Sequence, residues 1–139
     1  MAAPVYKKLA AELVEHGVES RYLARVTARV TPEQELETLE TEIAQEMASA
    51  LGRSEDRLNL ALAELELCLA RYRRALAVHA TEQQLDVLAS AHEAQRKVAQ
   101  GRLRDLTIHR EAVGFRRNQI LSELYPIPPK LQRVSAPSD

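Results

Sequence analysis

The chain has 139 residues, and the positive charges of its 19 Lys and Arg nearly cancel the negative charges of its 20 Asp and Glu. This balance excludes an overall electrostatic attraction of the molecule to nucleic acid or anionic lipid. Gly and Pro number only 4 and 6, aromatic residues make up 4%, and Trp is absent, so long helices are favoured over sheets. A single cysteine excludes an internal disulfide, and no apolar run approaches the roughly 18 residues of a membrane span, so we expect an all-α, cytoplasmic protein.

Two short amphipathic helices are predicted at the N-terminus. Apolar residues recur at helical spacing at Val5, Leu9, Leu13 and Val14, and Gly17 is typical of the residue that follows a helix. Ser20 is the predicted N-cap of a second short helix over residues 21–30. We therefore assign residues 1–30 to short N-terminal helices.

A longer helix is predicted to begin at Thr31, where Pro32 and Gln34 complete a first turn with a capping box. Gly52 and Ser54 are typical of a stop and a new N-cap, so we expect a bend or short break there, with a continuous helix as the alternative. Beyond them the apolar steps alternate between four and three residues, which is a heptad seam. The seam residues are Leu58, Leu62, Leu65, Leu69, Tyr72 and Leu76.

The last predicted helix begins with a second capping box, formed by Thr81 and Gln84. No proline interrupts residues 82–124, so one long helix is expected, and a kink at Gly101 or Gly114 is compatible with it. One position recurs every seventh residue along this helix, namely at Leu85, His92, Ala99, Leu106, Val113 and Ile120. The sequence thus predicts an all-α helical bundle built on a long antiparallel coiled-coil-like hairpin over residues 31–125.

The charges of the two long arms are complementary. Between Arg29 and Arg53 the charged side chains are all acidic, whereas the last helix is rich in arginine. Folding the chain back at Ala80 brings the acidic arm beside the basic arm. Each exposed pair contributes only about 0.2–1 kcal/mol, but we expect the set to favour one register of the hairpin.

A second apolar line runs along the last helix, well over a quarter-turn from the seven-residue repeat. It contains Val87, Ala91, Ala94, Val98, Ile108, Ala112 and Phe115. A helix that is apolar on two sides packs between two neighbours, and the hairpin mate supplies only one. The other is either the short N-terminal helices, which are long enough to cover only part of the line, or a second subunit. The sequence therefore predicts a protein partner or a homo-oligomer, bound through Val98, Ile108, Ala112, Phe115, Tyr125 and Ile127.

The segment 126–139 is predicted to be a proline-containing tail. Pro126 cannot continue a helix, and it disfavours the α conformation of Tyr125 before it. The apolar residues around these prolines either fold back as a latch on the bundle or lie on a partner. The last five residues, SAPSD, are expected to be disordered.

An alternative function is that of a nucleic-acid-associated accessory protein. Its contacts would be two groups of arginines, namely Arg21, Arg25 and Arg29 on the second short helix, and Arg116 and Arg117 near the C-terminus. Glu111 and Glu123 dilute the charge of the second group, and solvated or salt-bridged faces are the commoner explanation of such stripes.

The sequence predicts no catalytic, cofactor or metal site. His16, His79, His92 and His109 lack the Glu-x-x-His or paired-His spacing of metal sites in helical bundles. His92 falls within the seven-residue repeat, so we expect it to be partly buried and hydrogen-bonded. Cys68, a lone cysteine on a helix flank, is predicted to be a small buried apolar residue. We therefore predict a non-enzymatic scaffold, adaptor or assembly subunit without a cofactor.

Overall fold

The computed structural model describes residues 5–27 and 39–133, which form five helices and no strand. These helices are α1 (Val5–Glu15), α2 (Arg21–Thr27), α3 (Leu39–Ala77), α4 (Glu82–Ala112) and α5 (Gln119–Leu124). The all-α prediction is confirmed. The helix start predicted at residues 31–34 and the disordered end predicted for the tail lie outside the described residues.

The predicted antiparallel hairpin consists of α3 and α4, joined by a tight turn. At the end of this turn, Thr81 Oγ1 accepts a hydrogen bond from the Gln84 N–H at 3.2 Å. In return, the Thr81 N–H donates to Gln84 Oε1 at 3.0 Å. The capping box predicted here is confirmed, and it satisfies the backbone N–H groups of Thr81 and Gln84, which a helix start otherwise leaves to water.

The face of α4 that packs against α3 is the predicted seven-residue repeat. Its buried members are Leu85, His92, Ala99 and Leu106. Beside this seam, the Gln95 side-chain amide donates to the carbonyl of Ala61 at 3.0 Å and to Glu64 Oε2 at 3.1 Å. The repeat is thus confirmed along α4, and these hydrogen bonds tie α4 to α3 in one register.

Helix α3 is continuous through Gly52, so the short break expected there is wrong. Gly52 and Ser54 are both buried within the helix. Small residues suit a buried position inside a helix. In the sequence they look the same as a helix stop followed by an N-cap.

Helix α4 ends at Ala112, so the single helix predicted to run on to Leu124 is also wrong. Gly114 adopts a φ of 99°, a left-handed conformation that glycine reaches without steric cost. The N–H of Phe115 donates to the carbonyl of Arg110 at 2.9 Å, and the N–H of Gly114 donates to the carbonyl of Glu111 at 3.1 Å. This pair of bonds is a Schellman motif, which ends the helix and redirects the chain into α5.

The central element of the bundle is α3, because α1, α2 and α4 all pack against it. Three consecutive residues, Ala61 to Ala63, are buried, so α3 is covered on several sides at this level. Leu13 of α1 and Tyr22 of α2 belong to the same core as these residues. The short leading helices therefore cover α3 and not the second apolar line of α4.

The segment after α5 runs back along the hairpin towards its turn. Tyr125 is only 7% exposed, and Ile127 packs against the same core. Further along, Arg133 forms ion pairs with Glu82 and, at 3.2 Å, with Asp86 in the first turns of α4. Of the two alternatives for the tail, the latch on the bundle is the one that these residues form.

The charged arms of the hairpin make ion pairs within single helices. Glu46 pairs with Arg53 along α3 at 3.5 Å, and Arg102 pairs with Asp105 along α4 at 3.9 Å. Neither pair crosses the hairpin as the charge pattern predicts, and Glu33, Glu35 and Glu37 of the acidic arm lie outside the described residues. Because both pairs are exposed they contribute little, and the register rests on the buried seam and the Gln95 hydrogen bonds.

Candidate interaction surface

The second apolar line of α4 faces solvent. The side chains of Val98 and Ile108 are 44% and 54% exposed, and Val87 nearer the turn is more exposed than either. The alanines of this line, Ala91, Ala94 and Ala112, are exposed as well. Three of the predicted partner-binding residues, Val98, Ile108 and Ala112, therefore lie on one open side of the same helix.

The remainder of the described chain covers α4 elsewhere. The seam side of α4 packs against α3, and the tail from Lys130 to Arg133 lies beside Asp86 and Glu93 on another flank. Helices α1 and α2 pack against α3 instead. The apolar line of α4 thus remains accessible to solvent, because the described elements that pack on the bundle contact α3 or another flank of α4.

Phe115, a fourth predicted partner-binding residue, lies just beyond the end of α4 and is about half exposed. The Arg110 guanidinium lies 4.7 Å from the centroid of its ring, within the range of a cation–π contact. Arg110 Nε also donates to Asn118 Oδ1 at 2.8 Å. The Phe115 ring is therefore held against the end of α4 and does not continue the helical line.

The other two predicted partner-binding residues, Tyr125 and Ile127, lie against the core of their own chain. Tyr125 is nearly enclosed, and the guanidinium of Arg25 lies 5.2 Å from the centroid of its ring. Ile127 is half-buried against the same cluster. The centre of the open apolar surface is thus on α4, and these two residues are not part of it.

The arginines of the alternative interpretation occupy different surroundings. Arg21 donates to the Tyr22 hydroxyl at 2.9 Å, and the Arg25 guanidinium lies 5.4 Å and 5.2 Å from the ring centroids of Tyr22 and Tyr125. Arg29 lies outside the described residues. Arg116 and Arg117 are exposed in the link between α4 and α5. Arg25 is therefore an internal contact of the bundle, not a free positive charge on a nucleic-acid-binding face.

A further apolar stripe is exposed at the start of α3, where Leu39, Ile43 and Met47 recur at steps of four. Helix α3 has 39 residues and α4 has 31, so the first turns of α3 extend past the end of α4 when both are counted from the turn. This difference in length between α3 and α4 arises because α4 ends at Ala112, just before Gly114, and does not run on to Leu124.

The residues considered for chemistry are placed as follows. His92 is buried on the seam, but neither ring nitrogen has a hydrogen-bond partner among the described residues, so the prediction that it is hydrogen-bonded is not met. Burial raises the pKa of the Cys68 thiol, so its reactive thiolate form is disfavoured. Across the described ranges, no three His, Cys, Asp or Glu side chains gather as metal ligands would.

The chain matches no known protein family, no curated protein and no solved structure. In the part of the chain that the structure describes, no helix combines the length and the apolar character that crossing a membrane requires.

Proposed function

We propose that this chain is a non-enzymatic assembly or adaptor subunit that binds another helical protein, or a second copy of itself, through the exposed apolar line of α4. The observation that supports this proposal is that Val98, Ile108 and Ala112 stay open to solvent although the described residues form four other helices. Helices α1 and α2 pack on α3, and residues 130–133 lie along the neighbouring flank of α4, where they reach Ala94 at the edge of the line.

The pattern of exposure is what distinguishes this surface from ordinary protein surface. Scattered exposed apolar residues are common and need no explanation. Here they follow one side of a single helix from Val87 to Val98 and again at Ile108 and Ala112, over roughly 38 Å at 1.5 Å per residue. The exposed ion pair of Arg102 and Asp105 lies between these two groups. Apolar residues at such helical spacing are typical of helices that dock against a partner helix or groove.

The side chains on this line are also suited to close helix packing. Ala91 and Ala94 lie between Val87 and Val98, so a partner helix can approach the backbone of α4 there. Ile108 supplies a larger apolar contact towards the other end. Burying Val98 and Ile108 removes apolar surface that now contacts water, and each such side chain contributes up to about 1.5–3 kcal/mol when fully covered.

The experiment replaces Val98 and Ile108 together by Asp and compares the result with Gln100→Asp. Gln100 is exposed on the same helix but is about 130° away from the apolar line, so it controls for the added charge. Sizing chromatography with light scattering, together with purification of the native complex, then reports self-association and partner binding. We expect the double variant to lose the association, the Gln100 variant to keep it, and circular dichroism to show the same helix content in both. Phe115→Asp, at the end of the surface, is expected to weaken the association.

The contrary result is equally specific. If the wild type and the double variant are both monomers at high concentration, and each purifies with the same proteins, the apolar line is idle surface and the proposal fails.

A further inference from the structure

A cleft opens where α2, α3, α4 and the segment from Pro126 to Pro129 meet, and its volume is about 580 Å³. Its walls are largely apolar, with Leu62, Leu65 and Leu69 from α3 on one side and Ile127 on the other. A volume of this order holds a small organic molecule, and a mostly apolar wall with a few polar groups is the usual composition of such sites.

One of the polar groups in the cleft is the imidazole of His92. The side chain is 1% exposed, and both of its ring nitrogens are buried without a hydrogen-bond partner among the described residues. A neutral imidazole has one N–H donor and one acceptor nitrogen, and a buried polar group that makes no hydrogen bond destabilises the folded chain. Burial lowers the pKa of His92, which favours the neutral, uncharged ring.

The charged groups of the cleft favour a positive ligand. Glu66 is half-buried there and accepts a hydrogen bond from Ser20 Oγ at 2.8 Å, which leaves its second oxygen for another donor. Glu19 adds a second carboxylate at the edge. Opposing them is Arg21, whose guanidinium donates to the Tyr22 hydroxyl and lies 5.0 Å from that ring. Two carboxylates against one arginine leave a net negative charge.

We propose that this cleft binds a small organic cation with an apolar body. Its ammonium group donates to the carboxylate of Glu66, and its body lies against Leu62, Leu65 and Ile127, beside the buried ring of His92. This site is separate from the apolar line of α4, so the proposal stands independently of the proposed function.

The test uses three compounds that share one aromatic body and differ in charge, namely benzylamine, benzyl alcohol and benzoate. Each is titrated into the full chain while NMR follows the ring protons of His92 and the methyl groups of Ile127. We expect benzylamine to shift both sets of signals in a saturable manner, with an affinity on the order of millimolar for so small a ligand. The alcohol should bind at least about tenfold more weakly, and benzoate should leave the signals unchanged, because the carboxylate of Glu66 repels it.

The matched variants are Glu66→Gln, which keeps the shape and loses the charge, and Glu42→Gln, which removes an exposed carboxylate near the start of the same helix. We expect Glu66→Gln to weaken benzylamine binding about tenfold and Glu42→Gln to leave it unchanged, because a charged hydrogen bond is lost only in the first. The ligand series with the wild type decides the question alone if Glu66→Gln does not fold. No shift at tens of millimolar benzylamine, or equal binding of all three compounds, overturns the proposal.

Discussion

The guanidinium of Arg25 in α2 lies 5.2 Å from the centroid of the Tyr125 ring. This contact joins an N-terminal helix to the segment that follows α5. The same guanidinium lies 5.4 Å from the ring of Tyr22 and donates to the Leu124 carbonyl at 3.4 Å. Arg25 therefore connects α2 with Leu124 and Tyr125, a contact between distant residues that local sequence patterns do not predict.

The first prediction is that Arg25 and Tyr125 stabilise each other. Arg25→Met is expected to lower the free energy of unfolding by about 1–2 kcal/mol, because it removes the cation–π contacts and the charged donor. A double-mutant cycle with Tyr125→Leu should give a coupling energy of about 0.5–2 kcal/mol in urea unfolding. Arg104→Met, at an exposed position of α4, is the control and should be nearly neutral. A coupling energy near zero would mean that the contact contributes nothing to stability.

The second prediction is that a buried residue of α3 contributes more to the free energy of unfolding than a residue on the exposed apolar line of α4. Leu58 of α3 is 0% exposed, so Leu58→Ala is expected to cost about 2–5 kcal/mol through lost burial and a residual cavity. Ile108→Ala on the open line of α4 should change the stability of the isolated chain by no more than about 0.5 kcal/mol. Thermal or urea unfolding of both variants measures this. Equal losses in the two variants would show that Ile108 is covered within the single chain.

The third prediction pairs two glycines of opposite role. Gly114 has a left-handed φ, so Gly114→Ala is expected to destabilise the chain by about 1 kcal/mol. Gly101 lies inside α4, and a Cβ there meets no atom within 4 Å, so Gly101→Ala should stabilise the chain by about 0.5–1 kcal/mol. The two melting temperatures should therefore move in opposite directions. A gain in stability from Gly114→Ala would instead favour a helix that continues beyond Ala112.

The fourth prediction is a pH dependence that arises at His92. Burial, the largest influence, lowers the pKa of His92 in the folded chain, while Glu93 raises it and Arg96 lowers it. Glu66 and Arg21, on α3 and α2, line the same cleft. As the pH falls below about 6.5, the unfolded chain takes up a proton at this histidine before the folded chain does. The free energy of unfolding should therefore fall with pH, until the pH reaches the folded-state pKa.

The measurement for His92 is urea unfolding at several pH values between neutrality and about pH 5, above most carboxylate titration. The variant His92→Asn should lose the part of the pH dependence that this group contributes, whereas His109→Asn, on the exposed side of α4, should retain it. Identical pH slopes for the wild type and His92→Asn would contradict the prediction.

The fifth prediction tests the capping box at the hairpin turn. Thr81→Ala removes the oxygen that accepts from the Gln84 N–H and is expected to cost about 1 kcal/mol. Thr81→Ser keeps that oxygen and should be nearly neutral, which separates the hydrogen bond from other effects of the position. Chemical denaturation of both variants provides the comparison, and a similar loss in both would assign the effect to the methyl group.

Local patterns were sufficient for several features of the fold. The seven-residue repeat from Leu85 to Leu106 identified the packed side of α4, because a helix presents every seventh residue on nearly the same side. The capping box at Thr81 and Gln84 marked the helix start because its hydrogen bonds join residues only three apart. The exposed line at Val98 and Ile108 was also visible as a second apolar period.

Other features were decided by contacts between distant parts of the chain. Gly52 had the local signature of a helix stop but is buried inside α3, and Gly114 ends α4 although no proline follows it directly. The sequence alone did not show whether each glycine breaks a helix, because a buried small residue and a terminating residue share the same local pattern.

The sequence by itself determined that this protein is a helical hairpin, that one side of α4 is a seam and that another side of it is apolar. Only the tertiary structure decided that the short leading helices cover α3, that Arg25 lies against Tyr125 and that His92 lines a cleft beside Pro126 to Pro129. The physical reason is that amphipathic periodicity specifies which side of a helix avoids water, whereas the element that covers that side depends on packing among segments far apart in the chain.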